Sequence, residues 1–232
     1  MNFELQVFST ENDLANSAKE IFVDLHLPGR DNTFIVPGGR TPIPFFHKLA
    51  RLTLDWNRTT LILSDERLVS EESPDSNIGM LKKNFVDLLE GNNNPYLVPV
   101  VNGFPTEQST KILDSLNYST KSLVPPKAAF LGIGSDGHTA SLFPDSVEDY
   151  TGANPFCMCK RFSEPFERIS ITMDILCSTP RIIFLVSGVT KKSIVKKLMK
   201  STKSPNPLPV QQVIENSVGE IMVLCDNSAL PE

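Results

Sequence analysis

The 232-residue sequence has little of what would place it in a special structural class. Hydrophobic residues make up 40% and charged residues 21% of the chain, which are ordinary globular values and exclude a disordered, collagen-like or coiled-coil protein. No apolar run approaches the ~20 residues that a membrane span needs. Nor do the first ten residues have the basic flank and apolar stretch of a secretory signal. These absences predict a soluble, cytoplasmic protein that does not enter a membrane.

Basic residues and cysteines are also scarce. The chain has 22 Lys and Arg residues and 27 Asp and Glu residues, which give a net charge of -5. This net charge argues against a nucleic-acid partner. It is compatible with a local basic pocket for an anionic ligand. Four cysteines are too few and too scattered for a disulfide framework. Cys157 and Cys159 alternate at the period of a strand, so both thiols should lie on one face. Because no His or second Cys pair is near them, we interpret them as reduced, structural residues and not as metal ligands.

What the sequence does contain is an alternation of short apolar runs with segments of helical periodicity. Strands that alternate with helices favour right-handed crossovers and a mostly parallel sheet covered on both faces. The proline-rich connectors at residues 125–126 and 204–209 are too short to mark a domain boundary, so we predict one α/β domain over residues 1–232. Strands are predicted at residues 3–8, 33–36, 60–63, 96–101, 128–133, 169–171, 182–186 and 221–224, and helices after N-caps at Thr10 and Thr41 and over residues 77–89 and 191–200.

Two polar segments follow predicted strands, where open α/β sheets bind their ligands. The first runs through Gly38, Gly39, Arg40 and Thr41 into a predicted helix. Glycines let backbone N–H groups approach an anion, and a helix start adds free donors, so a phosphate would fit; a plain strand–turn–helix junction would have the same pattern. The second segment, Asp65–Arg67, could orient a polyol and clamp a phosphate, or could form only a surface ion pair.

The most informative segment is Leu131–Pro144. In it, an apolar strand ends in a Gly-x-Gly turn, and His138 follows a glycine at a predicted helix start. No Cys or second His stands at ligand spacing, which makes a metal site the weaker interpretation, and no Gly-x-Ser-x-Gly segment offers a serine nucleophile. A general base or acid is therefore the natural role for His138. His26 and His47 lack such a polar setting, and we interpret them as structural or exposed residues.

Residues 134–144, GSDGHTASLFP, resemble the signature of the 6-phosphogluconolactonases, in the superfamily shared with glucosamine-6-phosphate deaminases. Gly38–Pro42 is similar to the phosphate loop of that family, although Pro37 and Arg40 replace its two serines. Asp65–Arg67, followed by Pro74–Asn77, matches a second block, and weaker matches occur at Arg168–Thr172 and Gly188–Lys191, where Lys192 is an alternative to Lys191. The resemblance covers nearly the whole chain.

The resemblance implies a Rossmann-like three-layer α/β fold and hydrolysis of 6-phospho-D-glucono-1,5-lactone to 6-phosphogluconate in the oxidative pentose phosphate pathway. His138 would activate water, and Asp136 would orient the imidazole or hold a substrate hydroxyl. We expect no metal or organic cofactor, and a monomer or weak homo-oligomer. The remaining substrate contacts would come from Gly38, Gly39, Arg40, Thr41, Asp65, Arg67, Arg168 and Lys191.

Two other functions remain open at this point. A sugar-phosphate deaminase or isomerase on the same fold would have a glutamate five positions after the histidine, where this sequence has Phe143. A non-catalytic sugar-phosphate sensor would need an output module, and no DNA-binding helix–turn–helix fits the sequence. Both alternatives therefore rank below the lactonase.

Overall fold

The structure is a computed structural model that describes residues 3–98, 109–146, 150–152, 154–161, 163–200 and 205–231. Within these ranges, the largest sheet consists of Glu4–Phe8 (β1), Asn32–Val36 (β2), Thr59–Leu63 (β3), Tyr96–Leu97 (β5), Ala128–Gly132 (β6), Arg181–Val186 (β9) and Glu220–Asp226 (β10). The strand order is β1-β10-β9-β6-β2-β3-β5, and every neighbouring pair is parallel. The predicted parallel sheet is confirmed.

A second, antiparallel sheet of three short strands was not predicted from the sequence. It consists of Asp65–Arg67 (β4), Glu167–Ile171 (β8) and Phe156–Lys160 (β7), in the order β4-β8-β7. A three-residue polar strand has no apolar pattern of its own, so it cannot be recognised locally. Ser64 joins the two sheets, because its backbone N–H donates to Val36 and its carbonyl accepts from Ile171, each at 2.8 Å.

The helices are Glu11–Leu25 (α1), Ile43–Leu49 (α2), Asn77–Asn84 (α3), Ser109–Thr120 (α4), Met173–Ser178 (α5), Lys192–Met199 (α6) and Pro209–Asn216 (α7). The predicted cap of α1 is confirmed, since the Thr10 side chain accepts from the Asp13 backbone N–H at 3.1 Å. In the described ranges, no helix has the length and apolar character to cross a membrane.

The predicted cap of α2 is wrong. Pro42, not Thr41, is the N-cap residue, and it makes no side-chain cap bond. The reason is a turn closed by the Ile43 backbone N–H, which donates to the Arg40 carbonyl at 3.1 Å. Thr41 therefore lies inside the turn that precedes the helix, and α2 begins at Ile43.

Other element boundaries differ from the predicted ones. The helix predicted over residues 77–89 ends at Asn84, and a separate 3-10 turn follows at Val86–Leu88. The last predicted helix is a 3-10 turn at Val189–Lys191 followed by α6. Of the strand predicted over residues 96–101, residues 96–97 form β5 and residues 99–101 lie outside the described residues. The sequence analysis also did not predict α4, α5 and α7.

The fold has three layers, because side chains at alternate strand positions pack on opposite faces of the large sheet. Phe34 and Val36 of β2 belong to one core, which α1, α2 and α3 cover. Ile35, between them, belongs to the other core, which the small sheet and α4 to α7 cover. The predicted Rossmann-like α/β class is confirmed, whereas the assignment of residues 1–232 to one domain stays a prediction.

Candidate active site

The candidate site is a cleft at the carboxyl ends of the parallel strands. The chain leaves β2 toward β3 and leaves β6 toward β9, on opposite sides, although β2 and β6 are neighbours. Ligands of open α/β sheets bind at such a switch point. The cleft is open to solvent and has a volume of about 220 Å³. All sequence-predicted site residues except Asp136 line it: Gly38, Gly39, Arg40, Thr41, Asp65, Arg67, His138, Arg168 and Lys191.

His138 lies on a tight turn after β6. Its carbonyl accepts from the Gly134 backbone N–H at 2.8 Å, and Gly137 in the turn has a φ of +90°, which favours glycine. A Cβ at Gly134 would lie 2.1 Å from Nδ1 of His138, so only glycine leaves room for the imidazole. The predicted helix start at this position is wrong: residues 139–146 contain turns, and Ala140 has a left-handed φ of +50° that interrupts helical geometry.

Asp136 holds the imidazole in place without lining the cleft itself. Its Oδ1 lies 2.6 Å from Nδ1 of His138, and its Oδ2 accepts from Nη2 of Arg161 at 2.8 Å. The hydrogen bond to His138, with a smaller contribution from the Arg161 charge, holds the pKa of Asp136 well below its usual range. An ionised carboxylate can only accept, so Nδ1 carries the proton and Nε2 is left as the basic nitrogen.

Arg161 and Phe143 complete the surroundings of the histidine. The buried Phe143 ring lies 5.1 Å from the His138 ring, and the Arg161 guanidinium lies 5.0 Å above the Phe143 centroid. Sequence reasoning missed Arg161, because it follows β7 at a distance from every recognised motif. The one signal that could have identified it is a cation directly after a short strand.

Arg67 and Arg168 lie directly opposite each other on β4 and β8. Arg67 donates through Nη1 to the Asp75 carbonyl at 2.7 Å. Arg168, only 5% exposed, donates to Ser141 at 3.4 Å and forms an ion pair with Glu164. Among the described residues, neither Nε has a hydrogen-bond partner although both are buried. Two arginines that are 101 positions apart in sequence thus meet at one end of the cleft.

The glycine turn after β2 lies against Asn77, the first residue of α3. Gly39 has a φ of +81°, and a Cβ at Gly38 would lie 2.1 Å from Cγ of Asn77. Asn77 donates to the Asp65 carbonyl at 2.9 Å and lines the cleft. The sequence analysis matched Asn77 to the family but did not predict it as a site residue.

Asp65 and Glu66 are adjacent carboxylates with different surroundings. Asp65 lines the cleft and accepts from the hydroxyls of Ser64 at 2.9 Å and Ser141 at 2.7 Å. Glu66 is buried behind the cleft and accepts from the backbone N–H groups of Asn77 and Ile78 at 2.8 and 2.7 Å. Burial raises the pKa of Glu66, and these hydrogen bonds act against that rise. Glu66 therefore fixes the start of α3 and, through it, Asn77.

Lys191 reaches the cleft from the 3-10 turn after β9, whereas Lys192 begins α6. Burial lowers the pKa of the Lys191 ammonium group, and the charge of Asp136 acts in the opposite direction. The turn is held by Asp226, which accepts from the Ser187 hydroxyl at 2.7 Å and from the Gly188 backbone N–H at 3.3 Å. The structure thus places Lys191, and not Lys192, in the cleft.

The described part of the chain contains no group of three or more His, Cys, Asp or Glu side chains that could hold a metal ion. The chemistry available in the cleft is that of an oriented imidazole together with cations and backbone donors. Such a cleft can bind a phosphate and carry out proton transfer.

The sequence model of the family described as glucosamine-6-phosphate isomerases/6-phosphogluconolactonase matches residues 10–223. The chain belongs to this family. A 6-phosphogluconolactonase of Helicobacter pylori (strain ATCC 700392 / 26695) is 27% identical over 221 residues, which cover 93% of this chain and 95% of that protein. The resemblance stated from the sequence to the glucosamine-6-phosphate isomerase/6-phosphogluconolactonase family is confirmed.

Solved structures show how widely this family fold is shared. A 6-phosphogluconolactonase from Shewanella baltica OS155 superposes with a TM-score of 0.85 at 22% identity, over 97% of each chain. A monomeric glucosamine-6-phosphate deaminase superposes with a TM-score of 0.81 at 20% identity, over 98% of each chain. Since proteins with both names have the fold of this family, the cleft residues must decide between the two activities.

Proposed function

We propose that this chain hydrolyses 6-phospho-D-glucono-1,5-lactone to 6-phospho-D-gluconate, a step of the oxidative pentose phosphate pathway. Relatives along most of its length are named 6-phosphogluconolactonase. The observation that carries the proposal is that one cleft is lined both by the His138 imidazole, oriented by Asp136, and by the facing arginines Arg67 and Arg168. A phosphorylated lactone has a carbonyl that suits the imidazole and a phosphate that suits the arginines.

The reaction follows from the carbonyl chemistry of the substrate. As water attacks C1 of the lactone, Nε2 of His138 takes its proton, and the imidazolium then donates that proton to the ring oxygen as the C1–O bond breaks. A lactone carbonyl is already an activated ester, so no covalent intermediate is needed. The ionised Asp136 stabilises the imidazolium and fixes its orientation, and Arg161 holds the far oxygen of that carboxylate.

The phosphate is proposed to lie away from the reacting carbon. Backbone N–H groups at Gly38 and Gly39 donate to it, Thr41 adds a further contact, and Arg67 and Arg168 bind its oxygens in pairs. Lys191 adds a third cation, Arg40 lies at the exposed rim, and Asp65 is placed to accept from a sugar hydroxyl. The binding energy of these phosphate contacts, which are remote from C1, positions the lactone for attack.

A deaminase or isomerase is disfavoured by one residue. Where such an enzyme would have a carboxylate, this chain has Phe143, whose ring is buried against His138 and beneath the Arg161 guanidinium. A carboxylate could exchange protons with a sugar carbon or oxygen, whereas a phenyl ring cannot. A sensor without catalysis would have no use for an imidazole held by an ionised carboxylate.

A monomer or weak homo-oligomer, a cytoplasmic location and the lack of a cofactor stay predictions from the sequence.

The test is a coupled assay with freshly made lactone, in which a 6-phosphogluconate dehydrogenase reports the product. The protein should raise the rate well above that of spontaneous lactone hydrolysis and should release no ammonia from glucosamine 6-phosphate. A rate equal to the spontaneous one, or ammonia release, would contradict the proposal.

A further inference from the structure

The two thiols of β7 have no part in the proposed hydrolysis. The Sγ atoms of Cys157 and Cys159 are 3.8 Å apart, since side chains two positions apart on a strand project from the same face. Cys159 is buried, whereas Cys157 is partly exposed. We propose that Cys157 and Cys159 are a redox modification site, at which a hydroperoxide converts the two thiols into a disulfide.

The pair lies beside the anion-binding end of the cleft. Cys157 is directly opposite Ser170 on β8, and Cys159 is directly opposite Arg168. Residues opposite each other in an antiparallel pair share one face, with Cβ atoms roughly 4.5–5.5 Å apart. The thiols therefore lie on the face of the small sheet from which Arg168 reaches the cleft.

Contacts of β8, the neighbour of β7, and of the residue that follows β7 reach the cleft. Ser170 Oγ accepts from the Ser141 backbone N–H at 3.1 Å, and the Ser141 hydroxyl donates to Asp65 at 2.7 Å. Arg161, two positions beyond Cys159, holds Asp136. A change in the path of β7 would thus affect Asp65 through β8 and Asp136 through Arg161.

The chemistry balances with hydrogen peroxide as the oxidant. The partly exposed Cys157 thiolate attacks one peroxide oxygen, the O–O bond breaks, and the departing hydroxide takes up a proton to become water, which leaves a sulfenic acid. The Cys159 sulfur then displaces the hydroxyl group from Cys157 Sγ and forms the S–S bond, with release of a second water. In total, two thiols lose two electrons and two protons to one peroxide.

Closing this bond must alter β7. Residues two apart on a strand have Cα atoms ~6.6 Å apart, at the upper end of the range of about 4.4–6.8 Å in disulfides. The sulfurs must approach from 3.8 Å to about 2.05 Å, which shortens the strand locally. Because β7 is the edge strand of its sheet, it can leave its register with β8. We expect kcat/KM of the oxidised protein to fall about 10-fold or more, as Arg168 and Arg161 are displaced.

The other two cysteines serve as matched controls. Burial raises the pKa of the Cys177 thiol and raises that of Cys225 to about 11. Because the thiolate is the reacting form, both should react slowly. A Cys177→Ser variant should therefore keep the whole response, and a Cys157→Ser variant should lose it.

The experiment treats the intact protein with a small excess of hydrogen peroxide, blocks the remaining thiols by alkylation, and digests with trypsin. Both cysteines, and no others, fall in the peptide of residues 128–160. This peptide should lose the mass of two hydrogens, and dithiothreitol should restore two alkylatable thiols. The mass readout does not depend on the proposed function, whereas the accompanying fall in kcat/KM for the lactone does.

Two results would overturn the inference. If the peptide of residues 128–160 carries two alkylated cysteines, or only added oxygen, after treatment, there is no disulfide site. If the disulfide forms while kcat/KM is unchanged in an active enzyme, its coupling to the cleft is wrong. An enzyme that is inactive before oxidation would instead contradict the proposed function alone.

Discussion

The two ends of the cleft are built in different ways. At the reacting end, Gly134, Asp136 and His138 lie within five consecutive residues and contact each other in one turn. At the proposed phosphate end, Arg67 lies opposite Arg168 across two strands, and Gly38 packs on Asn77. The first arrangement is fixed by local geometry, whereas the second depends on tertiary pairing. Changes at the two ends should therefore affect kcat and KM separately.

The largest expected effect is at the reacting end. His138→Ala should lower kcat by ~10²–10⁴-fold, because it removes the proposed general base. The KM and the melting temperature should change little, since His138 is partly exposed on a turn. His47→Ala, at an exposed histidine of α2, is the matched control. A wild-type kcat in His138→Ala would show that His138 is not the general base.

Alanine substitutions at two glycines should show that the two ends of the cleft act on different kinetic constants. Gly134→Ala places a Cβ 2.1 Å from the His138 ring, and a displacement of ~1 Å of a catalytic group can cost ~10²-fold, so kcat should fall strongly while KM holds. Gly38→Ala places its Cβ against Asn77 and should instead raise KM. Steady-state kinetics on both variants check this. The same pattern in both variants would show that the two ends are not independent.

The arginine pair should have a smaller effect. Arg67→Ala and Arg168→Ala should each raise KM roughly 10-fold, since a hydrogen bond to a charged group contributes about 1.5–3 kcal/mol. Because both arginines are proposed to bind one phosphate, the double variant should lose less than the sum of the two effects. Inhibition by inorganic phosphate should weaken in each variant. If Arg168→Ala alone leaves KM and phosphate inhibition unchanged, Arg168 is not a phosphate ligand.

The smallest expected effect is on stability, remote from both ends. His26 is buried, its Nε2 lies 2.9 Å from the Thr59 hydroxyl, and burial lowers its pKa. The unfolded chain, in which histidine has a pKa near 6.5, binds this proton more readily, so stability should fall as pH drops below about 6.5. The melting temperature should decrease by a few degrees between about pH 7.5 and 5.5.

The control compares how steeply the melting temperature depends on pH in two histidine variants. His26→Gln should flatten the dependence of the melting temperature on pH, and His47→Gln should not, because His47 is exposed. Equal slopes in the wild type and in His26→Gln would show that another group is responsible.

The contrast between local and non-local construction also explains what the sequence could predict. The His138 turn was recognised because its residues are consecutive, and the strands of the large sheet because they are apolar runs. Arg161 was missed, since only the folded chain brings it to Asp136. The predicted helix after His138 was wrong because Ala140 has a left-handed backbone that a residue name does not reveal. The small sheet escaped prediction because β4 is only three residues long.

The direct opposition of Arg67 and Arg168 also has a consequence for the empty enzyme. Like charges that face each other across a pair of strands repel, so we expect the two arginines to lower the stability of the small sheet, and the ion pairs of Arg168 with Glu164 and Asp65 act against that loss. A bound dianion cancels this repulsion, and by mass action it should shift the unfolding equilibrium toward the native state. Inorganic phosphate should accordingly raise the melting temperature of the wild type more than that of Arg67→Gln. On this proposal, the arginine pair lowers the stability of the empty protein, and the bound substrate restores it.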